Sequence, residues 1–131
     1  MPINRPDRSE LIASVREMLE EQFLPNLDDK NLIYQSRVSI NILKIVEREL
    51  ERGDAMIDAE QERLASLLGE DGDVDSLNAS LIERIRAGRY DDAPQALMEH
   101  FLSTTLDKIA IDNPRYATYC EYLENGRFSN Y

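Results

Sequence analysis

The stretch NLIYQSRVSINILKIVERELERG, residues 31–53, decides the fold. Leu32, Val38, Ile42, Leu43, Ile45, Val46 and Leu50 recur at helical spacing and fill roughly one half of a helical cylinder. Arg37, Asn41, Lys44, Arg48 and Arg52, at i, i+4, i+7, i+11 and i+15, project as a narrow stripe from the other half. Gly53 adopts left-handed backbone cheaply and reads as a terminator. The pattern therefore predicts a helix over about 31–52, the longest and most apolar of the chain.

Working outward, the N-terminal side opens with Pro6-Asp7-Arg8-Ser9-Glu10. Asp7 with Glu10 three residues on is a capping-box pattern. Leu11, Ile12, Val15, Met18, Leu19 and Phe23 follow at helical spacing until Pro25, which predicts a helix over roughly 8–23. On the C-terminal side, Asp54 to Gly69 reads as a helix with Met56, Ile57, Leu64, Leu67 and Leu68 inward. The acidic turn Glu70-Asp71-Gly72-Asp73 leads to a fourth helix from about Asp75 to Gly88. Asp91-Asp92-Ala93-Pro94 sets up a fifth, with acids at the positive end of its dipole, running to about Ile111. Asn113-Pro114 breaks it, and a short sixth helix holds Tyr116, Tyr119, Tyr122 and Leu123 before Gly126. No segment alternates with period two over five residues, and no internal repeat or long linker is evident. The expected architecture is all-α, a compact bundle of five to six helices, with residues 1–131 as one helical domain.

Composition narrows the function classes. Hydrophobic residues make up 42% of the 131, too many for a disordered acidic segment. Fifteen Lys and Arg against 26 Asp and Glu give a net charge of −11, which argues against a nucleic-acid or anionic-membrane surface. The lone Cys120 cannot form an intramolecular disulfide and suits a reducing compartment. No apolar run approaches the ~20 residues that span a bilayer. Met1-Pro2-Ile3-Asn4-Arg5 lacks the apolar core of a secretory signal, so a cytoplasmic location is expected.

Each candidate site meets a plainer explanation. Asp71, Asp73 and Asp75 match the first, third and fifth places of a calcium loop, but Ser76 stands where Gly is needed and Ile82 where Glu is needed. Helix capping by Asp73 or Asp75 accounts for them. His100 shares a face with Ser103, Thr104 and Asp107, yet seven residues separate His100 from Asp107 by about 10 Å along a helix. A serine on a regular helix also lacks oxyanion donors. The plainer reading is a solvated face, with Leu97, Phe101, Thr105 and Ile109 on the opposite arc. With one His, one Cys and no HExxH or CxxC, no metal site and no cofactor are expected. The stripe of Arg37, Asn41, Lys44 and Arg48 could hold an anion, or pair with acids that this chain has to spare. The corner from Leu106 to Tyr116 is either structural, with Asp112 or Asn113 capping the next helix and Arg115 pairing with Asp107 or Asp112, or a recognition corner. In the second case Asp107, Asp112, Arg115, Tyr116 and Tyr119 form an interface, since Arg and Tyr favour interface centres.

The order of these pieces resembles a known pattern. Arg5-Pro6-Asp7-Arg8, Arg37-Val38 with Asn41, Ile45-Val46-Glu47-Arg48-Glu49-Leu50, Leu77-Asn78, Arg84-Ile85-Arg86-Ala87-Gly88, Leu106-Asp107-Lys108 and Asp112-Asn113-Pro114-Arg115-Tyr116 carry it. The chain is similar, over roughly residues 5–120, to a bacterial family of small helical domains of unknown function. The resemblance implies a genomic setting beside acyl-CoA dehydrogenases and phosphotransferases resembling aminoglycoside kinases. It implies no active site. The expectation is therefore a non-catalytic accessory protein that binds a protein partner, such as one of those two enzymes. The rival is a small-anion or CoA-ester binding domain, enzymatic or not, clamping its ligand with Arg37, Asn41, Lys44 and Arg48. A homodimer is compatible with a bundle of this size.

Overall fold

In the computed structural model residues 5–127 are described, and five α-helices run through them with no strand. Residues 1–4, four of the five read for a secretory signal, lie outside the described residues. The helices are α1 (Arg8–Met18), α2 (Lys30–Leu68), α3 (Val74–Arg86), α4 (Gln95–Asp112) and α5 (Ala117–Asn125). A π-helical turn, Leu19–Phe23, and a 3-10 turn, Leu24–Asn26, follow α1. The chain divides into two compact units, Met1–Gly53 and Asp54–Tyr131.

In the first unit the capping box forms as its residues dictate. Asp7 Oδ1 accepts from the Glu10 backbone N–H at 2.9 Å, and Glu10 Oε2 accepts from the Asp7 N–H at 2.8 Å. The regular α-helix ends at Met18, short of the expected 23, the helical run closes in the 3-10 turn that holds Pro25, and Asp29 then caps α2 by accepting from the Leu32 N–H at 3.0 Å. α2 does not stop at Gly53. It continues through that residue to Leu68, so the two helices expected over 31–52 and 54–69 are one. A helix tolerates an interior glycine at a cost of about 1 kcal/mol, and strong helix formers, Glu49 to Arg52 and Ala55-Met56, flank it. The stop comes at Gly69, whose φ is +66°.

The second unit has the larger core. Leu64 and Leu68 of α2, Leu77 and Leu81 of α3, and Leu97 of α4 are buried together. Ala65, Leu67, Val74 and Tyr90 pack against them. Ile57, expected inward with them, is half exposed. Asp73 caps α3 by accepting from the Ser76 N–H at 2.8 Å, which is the role the acidic turn plays. The turn is also tied down by Gln61 Nε2, which donates to the Gly72 carbonyl at 2.7 Å, and by an Arg84–Glu70 ion pair at 2.9 Å. At the corner after α4, neither Asp112 nor Asn113 caps the next helix. Tyr116 holds the cap position without a side-chain bond, and Asn113 instead closes α4, donating its N–H to Ile109 O at 2.9 Å. Intervening Pro114 and Arg115 place α5 too far along the chain for either side chain to act as its cap. Gly126, with φ +67°, ends α5.

Candidate functional site

The first unit buries little and displays much. Among its described residues only Ile40 is a buried hydrophobic. An ion-pair chain joins α1 to α2. Arg16 Nε donates to Glu47 Oε2 at 2.6 Å and its Nη2 to Glu47 Oε1 at 3.2 Å, a bidentate fork. Arg16 Nη1 also reaches Glu20 at 3.0 Å, and Lys44 Nζ reaches the other Glu20 oxygen at 3.1 Å. The Glu47 bond raises the Arg16 pKa. The Lys44 bond first, then Arg16, holds the Glu20 carboxyl below its ordinary value. Ile40, Lys44 and Glu47, at i, i+4 and i+7, thus form the side of α2 turned to α1. The apolar half of α2 is turned elsewhere: Leu32, Val38 and Ile42 are substantially exposed.

Two exposed apolar rows result. On α1 they are Leu11, Val15 and Met18, at i, i+4 and i+7. In the π turn the Leu24 N–H bonds back to Leu19 O, five residues away, so one extra residue is taken up there. Phe23 consequently falls where residue 22 of a regular helix would lie, and it extends the same row. On α2 the second row is Tyr34, Val38 and Ile42, at i, i+4 and i+8. These seven side chains are 41–69% exposed.

The basic stripe is divided by these arrangements. Lys44 is engaged with Glu20, Arg37 and Asn41 are exposed, and Arg48 is half-buried. In the second unit, Asp107 is drawn to Arg63 Nη2 at 3.7 Å, not to Arg115. Asp112 and Tyr116 line a hollow of about 350 Å³ with Thr105, Lys108, Ile109 and Asn113. Arg115 is exposed nearby in sequence, and Tyr119 is half-buried on α5.

His100 corrects the expected phase of α4. It is 5% exposed, whereas Phe101, expected inward, is 41% exposed. The cause is Arg63 of α2, whose Nη2 bonds Thr104 Oγ1 at 3.2 Å besides facing Asp107. That guanidinium draws the polar side of α4 inward. An open cleft of about 610 Å³ lies there, lined by residues including Arg63, Ser66, Glu99, His100 and Ser103. Arg63 Nε and His100 Nδ1 are both buried with no protein hydrogen-bond partner. Burial, then Arg63, lowers the His100 pKa, while Glu60 opposes them, so the imidazole is neutral at neutral pH. The pair can offer a buried donor and an uncharged imidazole nitrogen to a water or a small polar group. Arg63 was absent from the sequence-based candidates because nothing local marks it. The exposed rows were absent because apolar residues at helical spacing ordinarily signal core.

No helix among the described residues is long and apolar enough to cross a membrane. A family described as Domain of unknown function (DUF6285) matches residues 25–116, from just after the π turn to the corner at Tyr116. No curated protein and no solved structure matches the chain.

Proposed function

Since the chain belongs to the family described as Domain of unknown function (DUF6285), whose description names no activity, we propose a function from its own surfaces: a non-catalytic accessory protein that works by binding protein through the first unit. One observation carries this reading. Two rows of large apolar side chains, on α1 with its π turn and on α2, stand open to solvent where a single buried hydrophobic, Ile40, is found among the described residues. Exposed apolar rows of this kind mark contact surfaces. The ion pair of Lys44 with Glu20 weighs against the rival anion clamp, because it withdraws one of the four clamp residues.

The resemblance adds a setting. It points to a bacterial metabolic system related to acyl-CoA, and so to acyl-CoA dehydrogenase-like and aminoglycoside-phosphotransferase-like enzymes as proteins this module serves. The test is recovery of the tagged full chain from its own cells, beside an Ile42→Glu variant. The expected result is a stoichiometric polypeptide, either an untagged copy of the chain or another protein, held by the native chain and lost from the variant. A native chain recovered alone would overturn the proposal.

A further inference from the structure

We propose that the open cleft between the C-terminal part of α2 and α4 binds a small zwitterion, a molecule carrying a carboxylate and a protonated amine. The site belongs to the second unit alone, and it does not depend on the protein-binding reading of the first. Glu62, Arg63 and Ser66 line it from α2, and Ala96, Glu99 and His100 from α4, each set drawn from one side of its helix. The space between them is about 610 Å³, within the range of small-molecule sites.

The deep groups are Arg63 and His100. His100 is 5% exposed, and its Nδ1 and the Nε of Arg63 are both buried with no hydrogen-bond partner. Folded chains seldom leave such atoms orphaned, and two in the lining of one cleft point to groups supplied from outside. Thr104 and Asp107 engage Arg63 through Nη2, and the Asp107 oxygen stands off at 3.7 Å, so the guanidinium keeps an unused Nε–H and much of its charge. A carboxylate is the acceptor that suits it best. The uncharged imidazole, with its ring proton on Nε2, accepts an N–H at Nδ1. Above these groups Glu62 and Glu99 are exposed, and neither forms an ion pair among the described residues.

These signs select what binds. A simple anion is drawn to Arg63 but repelled by Glu62 and Glu99, and a simple amine meets the reverse. One molecule with both charges satisfies both ends, its carboxylate on Arg63 and its ammonium among His100, Glu62 and Glu99.

The experiment is an NMR titration of the full chain that follows its single imidazole at fixed pH and ionic strength. The probes are glycine, β-alanine and γ-aminobutyrate, with butyrate and butylamine as controls carrying one charge each, up to about 50 mM. At least one zwitterion is expected to saturate the His100 signal with a Kd at least about tenfold below that of either control. Glu62→Gln with Glu99→Gln, both at the surface, should weaken that zwitterion about tenfold and leave butyrate no weaker. Arg63→Lys, which keeps the charge and loses the Nε–H, should weaken zwitterion and butyrate alike. If Arg63→Lys changes the circular dichroism, the surface pair alone decides. An imidazole indifferent to every zwitterion, controls that bind as tightly, or binding unchanged in the Glu62→Gln, Glu99→Gln form would overturn the proposal.

Discussion

His100 is the one imidazole of the chain, and its surroundings give it a measurable signature. Desolvation and the neighbouring Arg63 favour its neutral form, and Glu60 only partly offsets them. The unfolded chain, where an imidazole titrates near 6.5, binds the proton more readily than the folded one. Its contribution to stability is thus complete above that pH and is lost as pH falls through the lower folded value. Thermal midpoints should be flat near neutrality and begin to decline as pH falls below about 6.5, ahead of most carboxylates. An NMR titration of the single imidazole should show a midpoint below 6.5. A midpoint at or above that value would mean that the ring is solvated. The same residue shows how burial escapes local reading. Nothing within one turn of His100 announces that the polar side of α4 faces inward, because the cause, Arg63, lies 37 positions away in sequence.

At the scale of the element, Gly53 separates two readings with opposite signs. As a left-handed terminator it would resist a Cβ; inside α2 it is a helical glycine that weakens its own helix. A Cβ there would meet only the Glu49 Cγ methylene, at 3.4 Å, an ordinary van der Waals approach to a flexible side chain. Gly53→Ala is accordingly expected to stabilise by about 1 kcal/mol, read from urea denaturation followed by circular dichroism. A loss of stability would restore the terminator. The sequence was most legible where structure is local. The Asp7–Glu10 box, the Asp73 cap and the stops at Gly69 and Gly126 each depend on residues a few positions apart, and all were visible in the chain. Helix phase was less legible, since it depends on which neighbour a face meets. Arg16 turned α2 by its Glu47 edge, and Arg63 turned α4 by its Thr104 edge.

For the whole molecule, the two units contrast in how they hold together. Five leucines bury one another in the second, while the first relies on a four-membered ion-pair chain and leaves its apolar rows open. If a protein partner covers those rows, folding and binding are linked, and the thermal midpoint should rise with partner concentration. A midpoint independent of concentration over about two decades would uncouple them. The candidate surface was only half legible: the residues of both rows stood at helical spacing in the sequence, but their exposure did not. The π turn from Leu19 to Phe23 has a consequence for how this chain can change. The extra residue it holds can be lost without disturbing the row, but at its present length the π geometry cannot. Losing one residue there would let the segment relax to an ordinary helix with the row intact, whereas closing into an ordinary helix at its present length would rotate Leu11, Val15 and Met18 by about 100° relative to Phe23. A four-residue row would become two unconnected patches without a single side chain of the row being altered.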